Sequence, residues 1–319
     1  MPPIMKNFFF FFLLIILSNS VSAQQDAQYT QYMYNTVTVN PAYAGSRDAL
    51  SIIGLHRSQW VGLDGAPVTQ TLSLHSPVGL KKKVGLGLSV INDKIGEGVS
   101  QETNFHGLFS YILKTSTKGK FSFGVNAGVS MLNVDFTKLT QLDQEFDGTN
   151  NIDNKFSPVV GVGFYYYSER FYAGISVPNL LETRHFDYSS GSASTVAYIG
   201  NEQMNFYLIA GHVFDIDENW EFKPAVLTKV VFGTPLQLDI SANFWYKKKL
   251  TLGAAYRWDA AYSLMAGFNV SKSIMIGLAY DKEVTELGNT LYNDGSFEIV
   301  IRAELFKRFY KDCTCLRFF

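Results

Sequence analysis

The sequence predicts an all-β fold, a transmembrane antiparallel β-barrel of about fourteen strands. Three observations carry that expectation: a secretory signal, apolar residues at every second place in segment after segment, and a chain poor in charge but rich in aromatics. In the stretch Leu250, Leu252, Ala254, Tyr256, Trp258, the intervening residues are Thr251, Gly253, Ala255 and Arg257. A strand sends successive side chains to opposite faces, so this pattern offers one face to lipid and one to a small or polar interior. The same dyad recurs at Phe121-Phe123-Val125-Ala127-Val129, Leu236-Leu238-Ile240-Ala242-Phe244, Ile274-Ile276-Leu278-Tyr280 and Phe297-Ile299-Ile301-Ala303-Leu305. Charged residues make up 17% of the chain, below the ~25% usual for soluble domains. Aromatics reach 15%, with 18 Tyr and 26 Phe. Beyond the signal no stretch approaches the ~18 uninterrupted apolar residues of a membrane helix. A closed barrel hides every strand edge, as hydrocarbon requires.

Residues 1–23 are expected to be a signal peptide. Lys6 supplies the positive start, Phe8 to Leu17 the apolar core, and Val21-Ser22-Ala23 a small-residue cleavage site. Gln24, rather than Cys, follows, which argues against a lipoprotein anchor.

Residues 24–48 are expected to form an N-terminal periplasmic or luminal segment. It is rich in Gln and Tyr, and Asn40-Pro41 and Gly45 mark turns. It precedes the first strand, so it is expected to start in the periplasm and either enter the lumen as a plug or lie across its mouth. Tyr29, Tyr32, Tyr34 and Tyr43 join apolar area to a hydroxyl, which suits a plug or a protein contact. The alternative is a flexible leader.

Residues 49–306 are expected to be the outer-membrane barrel, with strands near 49–58, 68–76, 83–92, 101–113, 120–131, 156–168, 170–177, 204–214, 219–231, 235–246, 249–258, 261–271, 273–281 and 295–306. Even-numbered connections are short, as at Lys247-Lys248 and Lys272, while Leu132 to Lys155 and Pro178 to Gln203 are long. Short periplasmic turns and longer outer loops are the habit of bacterial barrels. The turns carry Lys81-Lys82-Lys83, Lys114, Lys118, Lys247-Lys248-Lys249 and Lys272; the long loops carry Asp135, Asp143, Glu145, Asp147, Asp153, Glu182 and Asp187. A basic rim suits an acidic partner; solvated turns that resist aggregation are the plainer reading. Residues 307–319 form a C-terminal tail containing Cys313 and Cys315, too late in the chain to staple its body.

Chemistry is sparse. Asp143-Gln144-Glu145-Phe146-Asp147-Gly148 resembles the start of a calcium loop, but the twelfth place is Asn154 instead of a bidentate Glu, so a solvated acidic loop is the competing reading. A barrel hydrolase needs a Ser–His pair with an orienting group at one rim. Ser73 beside His75 and Ser110 near His106 are the nearest approximations, and His56, His185 and His212 stand apart. No triad spacing appears. Gly85-Leu86-Gly87 and Gly161-Val162-Gly163 lie inside strands and precede no helix pattern, against a phosphate loop. The net charge of −1 gives no footprint for nucleic acid. No catalytic residue, metal or cofactor is expected.

Gln31-Tyr32-Met33-Tyr34-Asn35, followed by Asn40-Pro41-Ala42-Tyr43-Ala44-Gly45-Ser46, resembles the opening signature of the PorP/SprF family. Arg57-Ser58-Gln59-Trp60-Val61-Gly62, Gly65-Ala66-Pro67-Val68-Thr69-Gln70, Asn92-Asp93-Lys94-Ile95-Gly96, Gly295-Ser296-Phe297-Glu298-Ile299 and the terminal Leu316-Arg317-Phe318-Phe319 are similar to later blocks. The resemblance implies a non-enzymatic outer-membrane component of the type IX secretion system. Its role would be to support secretion or surface anchoring of large exported adhesins of the gliding type, or to link the machine to a peptidoglycan-binding lipoprotein. The implied partners are other secretion components, such a lipoprotein, the exported adhesin and outer-membrane lipid, with no nucleic acid. The residues expected to form a plug or partner contact are Gln31, Tyr32, Met33, Asn35, Asn40, Pro41, Tyr43, Arg57, Gln59 and Trp60. The alternative function is an outer-membrane diffusion channel or specific porin, which an open, charge-lined lumen would favour.

Overall fold

In the computed structural model the described residues are 28–115, 119–138, 140–141, 144–145, 151–181, 203–232, 234–290 and 292–305. The signal peptide, the calcium-like loop at Asp143, His185 and the tail with Cys313, Cys315 and Phe319 lie outside them or have no described side chains.

Fourteen strands build the wall: β1 (Leu50–Ser58), β2 (Val68–Val78), β3 (Val84–Ile95), β4 (Ser100–Lys114), β5 (Lys120–Val134), β6 (Ile152–Tyr167), β7 (Phe171–Val177), β8 (Asn205–His212), β9 (Trp220–Val231), β10 (Gln237–Tyr246), β11 (Leu250–Arg257), β12 (Ala261–Asn269), β13 (Ile274–Glu283) and β14 (Ser296–Leu305). Each pairs antiparallel with the next. The first pairs with the last, Leu50 opposite Leu305 and Ser58 opposite Phe297, so the sheet closes. Closure leaves no ladder edge for lipid to meet, which is why this many short strands can cross a membrane.

The alternation sorts as expected. Leu252, Leu264, Leu278, Ile299 and Phe123 point outward and are exposed, while Thr251, Ser263, Glu298 and Ser122 point inward and are buried. Aromatics mark both ends of the apolar band. Tyr256 stacks on Tyr262 near the long-loop end, and Phe214, Phe222 and Phe244 form a row near the short turns. Such girdles sit at headgroup level.

Three strands run about three or four residues further than the alternation predicts. β3 continues to Ile95, β5 to Val134, and β6 begins at Ile152. The expected long loop from Leu132 to Lys155 is therefore shorter, and a brief pairing of Thr140–Gln141 with Gln144–Glu145 occupies part of it. Asn92, Asp93, Lys94, Asn133 and Asp153 explain the difference. Above the hydrocarbon both faces of the wall meet water, so the ladder continues where the hydrophobic alternation has already stopped.

Candidate functional site

The lumen is occupied by the chain's own residues 28–48. Two 3₁₀ turns, Thr36–Thr38 and Pro41–Tyr43, keep the segment compact. Asn40 starts the second, its side-chain oxygen accepting the Ala42 N–H at 2.9 Å, with Pro41 supplying the preset φ of the first turn. Buried apolar groups Tyr32, Met33, Val37, Ala42 and Tyr43 pack with wall residues Ile53, Leu108, Tyr165, Tyr172 and Val300 in one cluster.

Near the long-loop end the segment is held by charge. Glu298 on β14 accepts the backbone N–H groups of Thr30 and Gln31 at 2.9 and 2.8 Å. The Thr30 hydroxyl donates to Asp281 on β13 at 2.6 Å. Arg57 on β1 lies 2.6 Å from Asp281 and 3.3 Å from Glu298, and donates to the Thr30 hydroxyl at 2.9 Å. Beside this cluster Arg257 pairs with Asp239 at 2.7 Å and donates to the Gln28 side chain at 3.1 Å. Buried ions are costly unless paired and hydrogen-bonded, and here part of the pairing comes from the segment itself.

In the middle Asn35 donates to Thr71 at 3.0 Å, Asn40 donates to the Phe164 carbonyl at 3.0 Å, and Ser176 donates to the Val39 carbonyl at 2.7 Å. Tyr43 meets His75 and Tyr165 edge-on, each at 5.4 Å. Wall glycines let the backbone come this close. A Cβ at Gly124 would overlap Ala42, one at Gly163 would overlap Asn40, and one at Gly85 would overlap the Ala44 carbonyl.

At the short-turn end Ser110 donates to the Ala44 carbonyl at 2.6 Å and the Gly45 N–H donates to His75 at 3.1 Å. Arg47 pairs with Glu304, which also lies 3.5 Å from Arg302. The Arg302 guanidinium sits 5.6 Å from the Tyr34 ring centre. Asp48 closes the mouth between Lys82 at 3.6 Å and Lys120 at 4.0 Å. The Tyr32 and Tyr34 phenols are buried.

These contacts give the segment's direction. Gln28 lies beside the start of β10 and the end of β11, at the long-loop end, and Asp48 lies among the short turns. The expectation that the segment starts at the periplasmic side is corrected for its described part, which runs the length of the lumen before β1 begins. Sequence order places residue 49 at the short-turn end but does not limit how deep the preceding twenty residues thread.

Of the ten residues singled out, Gln31, Tyr32, Met33, Asn35, Asn40, Pro41 and Tyr43 lie buried in the lumen, and Arg57 meets them from the wall. Gln59 and Trp60 do not join them. They lie in the β1–β2 loop, where the Val61 N–H donates to the Gly295 carbonyl, the Asp294 N–H donates to the Val61 carbonyl, both at 2.8 Å, and the Trp60 indole donates to Glu283. Glu298, Asp281, Glu304 and Arg302 escaped the sequence reading. The signal was present: charges at the inward places of otherwise apolar dyads. The Ser–His approximations are absorbed by packing, since Ser73 pairs with Ser89 at 2.8 Å and Ser110 with Ala44. The short-turn rim is divided rather than uniformly basic, because Glu169, Asp215, Asp217 and Glu218 separate its two lysine sectors. Among the described residues no group of three or more His, Cys, Asp and Glu side chains could hold a metal ion.

A closed antiparallel wall with an apolar outer belt and an occupied lumen defines an outer-membrane β-barrel with an internal plug. The chain belongs to the PorP/SprF family of type IX secretion system membrane proteins, whose family model matches residues 21–303. Among solved structures it is similar to the CymD monoaromatic hydrocarbon channel, at 11% identity over 88% of this chain and 94% of that one, TM-score 0.48. It is also similar to the Acinetobacter baumannii outer membrane protein Omp33, at 10% identity over 82% and 100%, TM-score 0.46. A Pseudomonas aeruginosa FadL homologue is similar at 12% identity over 85% and 94%, TM-score 0.44. No curated protein matches the chain.

Proposed function

We propose that this outer-membrane protein of the type IX machine is a non-enzymatic barrel that works by holding protein, not by passing solute. It supports secretion or surface anchoring of large exported adhesins, or links the machine to a peptidoglycan-binding lipoprotein. The observation that carries this reading is the lumen filled along its length by residues 28–48. A barrel blocked by its own chain has loops and rims left for work, and protein contact is what loops and rims do. In this reading Gln31, Tyr32, Met33, Asn35, Asn40, Pro41 and Tyr43 seal the lumen, Arg57 fastens the seal, and Gln59 and Trp60 stiffen a platform at the long-loop end.

Deleting residues 26–44 while keeping the signal tests it. The barrel is expected to insert and keep its heat-dependent gel mobility, while ion conductance in planar bilayers rises and co-purification of other secretion components falls. Full-length protein that already conducts steadily would instead favour the diffusion channel. A deleted protein that inserts, stays closed and keeps its partners would make the segment a mere leader.

A further inference from the structure

The short-turn rim carries a feature that sealing does not use. The β2–β3 turn reads Gly79-Leu80-Lys81-Lys82-Lys83, and Leu80 is 103% exposed. Lys82 holds a left-handed φ of 48°, a conformation that glycine or asparagine adopts at less cost. Lys247 and Lys248 adopt the same conformation in the β10–β11 turn, so it belongs to the hairpin geometry. Lys114 at the end of β4 pairs across the ladder with Lys120 at the start of β5, so five lysines (81, 82, 83, 114, 120) share this sector of the rim, and two of them, Lys82 and Lys120, reach Asp48.

We propose that this sector is the docking surface for an acidic protein segment bearing an apolar side chain, with Leu80 as the anchor and the lysines as its charge complement. The proposal rests on the protein-holding reading and names the partner's chemistry. Direction separates a protein from the membrane as the occupant. Lys82 and Lys120 turn inward, over the lumen mouth, to reach Asp48 at 3.6 and 4.0 Å. Lys120 also lies 5.5 Å from the ring centre of Tyr167, a lumen-facing residue. Lysines committed to phosphate headgroups would splay toward lipid. Among the described residues these two turns carry lysines and no carboxylate of their own, which draws further carboxylates to the mouth, where they would share Lys82 and Lys120 with Asp48. A leucine wholly in water offers the apolar burial that turns steering into affinity. The site also touches the root of the plug, since Asp48 directly follows Arg47, which pairs with Glu304.

The test uses full-length protein in nanodiscs and a fluorescent peptide of glutamate interspersed with leucine, its glutamine counterpart serving as control. Anisotropy is expected to show binding that weakens with salt. Leu80→Ser should lower affinity about tenfold, the loss of roughly one buried leucine. A Lys81/Lys82/Lys83→Gln triple should lower it about tenfold as well, whereas a Lys247/Lys248/Lys249→Gln triple should leave it unchanged. Equal losses in the two triples, or no loss in Leu80→Ser, would overturn the proposal in favour of a diffuse basic rim. Peptide indifference combined with weaker adhesion of the Lys81–83 variant to phosphatidylglycerol vesicles would reassign the sector to the membrane. Conductance of the same unmodified protein, closed or open, reports on the sealing separately. Heat-dependent gel mobility confirms that each variant is folded.

Discussion

Replacing Glu298 with alanine isolates what holds the plug from what holds the barrel. Glu298 accepts two backbone N–H groups, from Thr30 and Gln31, and neither donor has another acceptor among the contacts described above. A hydrogen bond to a charged acceptor contributes about 1.5–3 kcal/mol net, so the two together hold the start of the segment by about 3–6 kcal/mol. Arg57 keeps Asp281 at 2.6 Å, so its own charge is not orphaned and the β1–β14 ladder is untouched. The released population of residues 28–35 should therefore rise by roughly a hundred- to ten-thousand-fold, with insertion and heat-dependent mobility unchanged. Glu298→Gln keeps one acceptor oxygen and turns an NH₂ toward the second donor, so it should fall between. Single-channel recordings would show flickering openings in Glu298→Ala, and hydrogen exchange would show faster amides at Thr30 and Gln31. A silent Glu298→Ala channel with both amides as protected as in the parent protein would refute the idea that this carboxylate is the fastening.

Four further outcomes are expected. Leu252→Arg should reduce assembly yield, because Arg facing lipid near the midplane costs about 2–4 kcal/mol. Thr251→Arg should assemble but disturb the seal, since Thr251 faces inward beside the Tyr34 hydroxyl; the ratio of heat-shifted to unshifted protein and the conductance separate the two. Gly124→Val, whose side chain would overlap Ala42, should leave the wall intact and raise conductance, and a closed channel would show that the plug has slack there. Gln28→Cys should react with a membrane-impermeant maleimide added to intact cells while Asp48→Cys does not, and the opposite pattern would reverse the segment's direction.

The barrel was legible because a membrane imposes a rule on every second residue, and Leu250 to Trp258 obeys it without tertiary information. The rule lapses outside the hydrocarbon, which is why β3, β5 and β6 outrun their sequence limits at Asn92-Asp93-Lys94, Asn133 and Asp153. The luminal charges were half legible. Glu298, Arg302 and Glu304 alternate with Phe297, Ile299, Ile301, Ala303 and Leu305, so they have to face inward, but nothing local says what they meet. Glu298 meets Thr30 from 268 residues away, a pairing that only closure of the sheet creates. The same limit separated two features that belong together. Asn40-Pro41-Ala42 reads as a turn, and Gly161-Val162-Gly163 reads as a strand eased by glycine. In the fold β6 lacks a side chain at Gly163 where Asn40 sits, and its neighbour β5 lacks one at Gly124 where Pro41 and Ala42 sit. At Gly85, Gly124 and Gly163 the missing side chain thus marks close approach by the luminal segment. These three glycines, met by the segment and not only by neighbouring strands, record in the wall that the lumen is filled.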